Sequence, residues 1–283
     1  MKQLTKERIK KPLLCVLAFG VSFAVIFLFC IVGEIVGLIV CGDDFLLPDL
    51  LIEAITEVGM LFAAITACWF VKKKHGTRLR ETVRIKSFDP LVPLMLLLFD
   101  HGVTELVIHG VGAVMSGFMA IEPDPPLELS LISVIGAVVF APLFEEILCR
   151  FGWCELARGA YSLPLVVIGN GLLFSVIHLY NIQGFFGVLA GGMMMAYVYC
   201  KTRNILYTMI EHALYNATCF VDFSVVFGDY AYMENGFILY EPRWLIFNAV
   251  LVATGAVYFL TVFRKKYAEN YFETDPETGL AVI

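Results

Sequence analysis

The sequence predicts an all-α protein, a polytopic membrane bundle of about eight transmembrane helices, and three observations predict it. Of its 283 residues 59% are hydrophobic and 16% charged, where soluble chains carry roughly a quarter charged. The apolar residues gather into runs of about 20, each long enough to cross the hydrocarbon core of a bilayer. Between those runs basic stretches alternate with acidic ones, as expected where cytoplasmic segments are positive.

The first run, residues 12–40, is too long and has too weak a cleavage site for a removed signal peptide, and more spans follow it, so it stays as a membrane helix. The remaining spans are expected at about 50–71, 91–119, 129–150, 163–179, 184–200, 205–221 and 244–263. The fifth to seventh are short and interrupted by glycine and polar residues. The charges set their direction. Lys2, Lys6, Arg8, Lys10 and Lys11 precede the first span; Lys72 to Lys74, Arg78, Arg80, Arg84 and Lys86 follow the second; Arg158, Lys201 and Arg203 flank later ones; Arg264 to Lys266 follow the last. The other side carries Asp43, Asp44 and Asp49, then Glu122, Asp124 and Glu128, then Asp229, Glu234 and Glu241, with Arg243 as the one basic exception. Both termini are therefore expected to be cytoplasmic, in a multi-pass protein of the cell membrane. The chain divides into a basic N-terminal segment 1–11, a transmembrane domain 12–266 and a loose acidic tail 267–283, with no repeat and no soluble domain.

Net charge is −6 with no basic patch, which excludes a nucleic-acid partner. The 8 cysteines fall mostly inside apolar runs without C-x-x-C spacing, and read as small buried hydrophobes.

Ionisable groups at bilayer depth cost several kcal/mol unless paired or facing a wet cavity, so they are functional candidates. In APLFEEILCRFGW, Glu146 and Arg150 stand four apart on one helix face and can neutralise each other. Glu145 lies about 100° round the helix and is left for a cavity. In FSVIH, Phe174 and His178 share a face, as do His212 and Asn216 in EHALYN, where Glu211 directly precedes His212. Taken singly, a histidine in an apolar helix more often bonds a backbone carbonyl or a neighbouring helix. Counting along the spans puts His212 roughly 12 Å and His178 roughly 23 Å from the cytoplasmic side, a mismatch that calls for an earlier start or a strong tilt of the fifth span.

One carboxylate, two imidazoles and an amide make a hydrolytic set. A carboxylate in a dry cavity can take a proton from water, imidazole can orient that water or protonate a leaving amine, and the Asn216 amide beside a histidine N–H can meet the charge growing on a carbonyl oxygen. The same Glu145, His178 and His212 are also ordinary ligands for zinc or another divalent metal, although the H-E-x-x-H signature is absent and the sequence requires no cofactor.

A rival lies in the third span, where Asp100 precedes His101, Glu105 and His109, which recur every four residues. That stripe reads as structural pairing, support for the main cavity, or an ion, proton or metal path. The glycines of the third and sixth spans (Gly110, Gly112, Gly117, Gly187, Gly191, Gly192) read as close-packing positions, and Met193 to Met195 as filling.

The three motifs together carry a family resemblance. E-E-x-x-x-R at Glu145 to Arg150, F-x-x-x-H at Phe174 to His178 and H-x-x-x-N at His212 to Asn216, in order and on separate spans, resemble the CPBP intramembrane proteases, also described as the type II CAAX prenyl protease or abortive-infection family. The resemblance covers roughly residues 130–220. It implies a bundle of eight helices with a cavity open toward the cytoplasmic leaflet, in which Glu145 and His178 activate water, His212 and Asn216 form the oxyanion hole, and Glu146 and Arg150 support the site. Members are described both as metalloproteases and as metal-independent glutamate proteases. Cys149 and Phe151 depart from the aromatic-Arg-Gly pattern around Arg150, with Gly152 one place later, and touch local packing without removing a proposed catalytic group. The substrate expected is a membrane-embedded or lipid-anchored peptide or protein. Non-catalytic immunity or interaction on the same scaffold, and ion- or proton-coupled transport through the third span, are the alternatives.

Overall fold

The computed structural model describes residues 2–41, 46–116, 131–178, 182–228, 230–234, 237–268, 273–274 and 281–282. The protein is a helical membrane bundle. Four helices are long and apolar enough to cross a membrane: Leu13–Val40, Ala54–His75, Leu91–Ser116 and Pro242–Lys266. The segments between Ser116 and Pro242 are shorter or internally broken.

Helix α1 (Lys2–Cys41) carries the basic N-terminal segment and the first span as one unbroken helix. Its buried positions Cys15, Ala18, Phe19 and Ser22 follow a helical spacing and face inward, while Leu38 and Ile39 are largely exposed, as lipid-facing side chains are. Helix α2 (Leu46–His75) answers with small residues, Ala63, Ala64 and Ala67, and ends in Lys72, Lys73 and Lys74. Small side chains let two membrane helices approach where no hydrophobic driving force separates protein from lipid.

Helix α3 (Leu91–Ser116) is gripped on two sides. A Cβ on Gly102 would lie 2.6 Å from the Asn248 carbonyl of α8 (Pro242–Lys266), and a Cβ on Gly191 of α6 (Ile182–Thr202) would collide with the Asp100 carboxylate. Gly187 and Gly192 also sit at tight contacts, whereas Gly110 faces open space and Gly117 lies outside the described residues.

The segment α4 (131–157) changes pitch along its length. Alpha-helical Ala141–Glu146 is bracketed by π-helical Gly136–Phe140 and Ile147–Cys154. Pro142 gives one physical reason: it has no N–H, so in an i→i+5 register the Ala137 carbonyl has no backbone donor. That oxygen is taken instead by the side chain of Asn216 at 2.7 Å. The helix runs on to Ala157, past the expected end at 150.

Helix α5 (Leu163–Ile177) begins where expected. The depth mismatch is resolved at α7 (Ile205–Thr218) instead, because the turn before it is sunk into the protein. Arg203, Asn204 and Ile205 are all buried. Asn204 caps α7 by accepting from Leu206 N, and exchanges two 3.1 Å bonds with the Arg84 backbone. The α2–α3 connection, with 3₁₀ turns at Leu79–Thr82 and Ile85–Ser87, thus lies across the start of α7. Arg203 adopts φ 48, and its guanidinium reaches Glu155 at 2.9 Å and Thr77 at 3.1 Å.

Two strand pairs depart from the expectation of helices and loops alone. Before α8, β1 (Ala231–Glu234) pairs antiparallel with β2 (Phe237–Tyr240). In the tail, β3 (Glu273–Thr274) pairs with β4 (Ala281–Val282), so the segment expected to be loose contains a short ladder.

Candidate active site

Helices α4, α5 and α7 bring the three motifs to one place. Glu146 and Arg150, both fully buried, form a 2.8 Å ion pair, and the same Glu146 oxygen accepts from His212 Nδ1 at 3.0 Å. Arg150 is held further by Met195 Sδ at 3.4 Å and lies 4.3 Å from the centre of the Phe174 ring. Arginine over an aromatic face in a dry site gains about 2 kcal/mol. The Phe174 ring also meets both imidazoles, His178 at 4.5 Å and His212 edge-on at 5.5 Å.

These contacts orient the imidazoles. His178 is the C-cap of α5, and its Nδ1 lies 2.8 Å from the Phe174 carbonyl. A carbonyl only accepts, so Nδ1 carries the proton and Nε2 faces the other way. His212 is fixed likewise by Glu146. Both Nε2 atoms then face Glu145 Oε2, at 3.8 Å from His178 and 3.9 Å from His212. That oxygen is buried and has no hydrogen-bond partner among the described residues. The distances exceed a direct hydrogen bond and fit one intervening water.

Asn216 faces the same space, but one of its two amide N–H groups is spent on Ala137. His178, His212 and Asn216 line a cavity of about 260 Å³. Its opposite wall is α3, through Asp100, Thr104 and Glu105.

The α3 stripe divides among several partners. Asp100 accepts from Thr104 at 3.2 Å and lies beside Glu211, whose two buried oxygens have no hydrogen-bond partner among the described residues. His101 is enclosed by the rings of Tyr215, Phe223 and Trp244. Glu105 and His109 pair at 3.4 Å, with the His109 ring 3.9 Å from that of Tyr240. Sequence reasoning passed over Glu211 and Tyr215 as cavity residues. Glu211 had a signal, being an acid next to His212 in an apolar run.

Glu145, His178 and His212 were the ligands open to a metal. Their second contacts suit one, since each imidazole has its Nδ1 anchored. Their ligand atoms do not close on one: two ligands of a tetrahedral zinc sit about 3.3 Å apart, closer than the 3.8 and 3.9 Å separations here. Among the described residues no group of three or more His, Cys, Asp or Glu is placed to hold a metal ion.

No curated protein and no solved structure matches the chain. The stretch that carries all three motifs, residues 127–218, matches the family model of the type II CAAX prenyl endopeptidases, Rce1-like.

Proposed function

We propose that the protein is an intramembrane endopeptidase that hydrolyses a peptide bond with water activated by Glu145. The observation that carries this reading is the unpartnered Glu145 Oε2 facing two oriented imidazole Nε2 atoms at one-water range. The match of residues 127–218 to a protease family supports it.

In this mechanism a water bridges Glu145 and His178. Glu145 takes its proton as the oxygen attacks the scissile carbonyl carbon. The C=O π pair moves to oxygen, and the resulting oxyanion is met by His212 and the second N–H of Asn216. Since His212 Nδ1–H is committed to Glu146, donation from Nε2 needs a doubly protonated ring. Collapse of the tetrahedral species breaks the C–N bond, and Glu145 passes the proton to the leaving nitrogen. The products are a carboxylic acid and an amine, between which the acid's proton then passes to leave carboxylate and ammonium, and Glu145 is regenerated. Glu146 and Arg150 position His212 without touching substrate. The cavity sits within a membrane bundle, so the substrate is a membrane-embedded or lipid-anchored peptide arriving laterally.

The test is cleavage of a liposome-presented peptide library by wild type and Glu145→Gln, with and without chelator. Loss of cleavage in a folded variant is expected; equal cleavage by both proteins would remove Glu145 from the mechanism.

A further inference from the structure

The ends of the helices define two faces of the bundle. Lys72 to Lys74 end α2, Lys201 lies in the last turn of α6, and Arg264 to Lys266 end α8, so these basic residues mark one face. Helices α3, α5 and α7 start from that face. Along them the cavity runs from mid-helix to the far end: from Asp100 to Ile108 on α3, from Phe174 to His178 on α5, and from Glu211 and His212 to Asn216 and Cys219 on α7. Gly184, at the start of α6, lies at the same far end.

Toward the basic face the cavity meets a packed floor. Arg150 touches both Phe174 and Met195, and all three are buried. Beneath them Phe151 and Tyr199 are fully buried, and Glu155 is locked to Arg203. Seen from Glu145 the solid side is the basic side. The count of residues agrees: Ile108 is about 26 Å along α3 from its basic end, most of a hydrocarbon core of about 30 Å.

Resting on the peptidase reading, we infer that the site takes its substrate from the membrane face opposite the basic ends. With the basic face cytoplasmic, that is the non-cytoplasmic leaflet. The substrate class is then a membrane-anchored peptide whose scissile bond lies in the outer half of the bilayer or has already been translocated, with an apolar segment to lie against Ile108 and Val188. This reverses the cytoplasmic-leaflet opening that the family resemblance implies.

Cys219 lines the cavity and is exposed, which makes it a native reporter of the mouth. Sealed right-side-out and inside-out vesicles holding the full-length protein are treated with a membrane-impermeant maleimide, and Cys219 is read by peptide mapping. Modification is expected in right-side-out vesicles and lost in inside-out ones, with Lys72→Cys at an exposed site showing the reverse. Modification of Cys219 from the Lys72 side, or from neither side, overturns the inference. A second arm uses single-span reporters with a cleavable apolar segment placed at either face. Cleavage of the outer-face reporter alone, lost in Glu145→Gln, supports it. Cleavage of the cytoplasmic-face reporter alone overturns the inference and leaves the peptidase reading standing. Cleavage of neither by wild type counts against the peptidase reading, while the labelling still decides the side of the mouth.

Discussion

The middle and the C-terminal end of α4 bury carboxylates in opposite ways. Glu155 is fully enclosed: Tyr199 donates to it at 3.0 Å, Arg203 at 2.9 and 3.3 Å, and Arg158 lies at 3.5 Å. Nearly three turns earlier, Glu145 keeps a buried oxygen that no described residue bonds. The first arrangement leaves no room for chemistry and ties α4 to the sunken turn before α7. The second leaves a buried acceptor facing two imidazoles that line the cavity. Glu146 Oε2 and both Glu211 oxygens are also unbonded, so what sets Glu145 apart is the pair of imidazole Nε2 atoms it faces.

The largest effect is expected at the open carboxylate. Glu145→Gln keeps shape and removes the base, so cleavage should fall by about a thousandfold or more while the unfolding midpoint in detergent stays near wild type. Arg203→Met attacks the filled one. Removing one partner of a buried pair costs about 3–5 kcal/mol; denaturant unfolding should show it, with cleavage per folded molecule retained. A loss confined to cleavage would erase the contrast between the two carboxylates.

Asn216→Ala sharpens the comparison from the cavity side. Loss of an oxyanion donor lowers kcat by about a hundredfold with KM little changed, whereas a merely structural bond to Ala137 would show in stability alone. Gly191→Ala pushes a methyl into Asp100. Overpacking of this kind costs about 1–3 kcal/mol, measured by unfolding.

The smallest effect belongs to the exposed pair at the basic face. Lys266 lies 2.6 Å from Asp89 and holds that carboxyl below its ordinary 3.8. Because the folded value lies below the unfolded one, the stabilisation is present at neutral pH and is lost as pH falls through the folded value. Asp89→Asn should cost less than about 1 kcal/mol at pH 7, and the difference from wild type should vanish in acid.

The parts of the site legible in the sequence are those built at helical spacing. Glu146 and Arg150 meet because they are four apart, and His178 reaches the Phe174 carbonyl for the same reason. What spacing could not supply is the meeting of separate helices: His212 on Glu146, Glu211 on Asp100, and the α3 wall of the cavity. The four long apolar helices were legible from apolar runs. The buried turn before α7 was not, since Arg203 and Asn204 read as an ordinary polar loop until Glu155 and the Arg84 backbone are placed against them. The β1–β2 pair did leave a mark, the Asn235-Gly236 dipeptide between aromatic residues, a two-residue hairpin signal that the membrane pattern around it overshadowed.

The π-helical stretches of α4 carry a consequence for insertions and deletions. An i→i+5 turn closes one residue later than an α turn, so each such stretch stores an extra residue in its pitch. Dropping a single residue between 136 and 140 would let that turn relax to α and swing the preceding chain by about 100° relative to Glu145. Ala137 would leave Asn216, though no motif residue had been altered. The register of this site is written in residue number as much as in residue type, and among variants of this segment a change of length is expected to be rarer than a change of side chain.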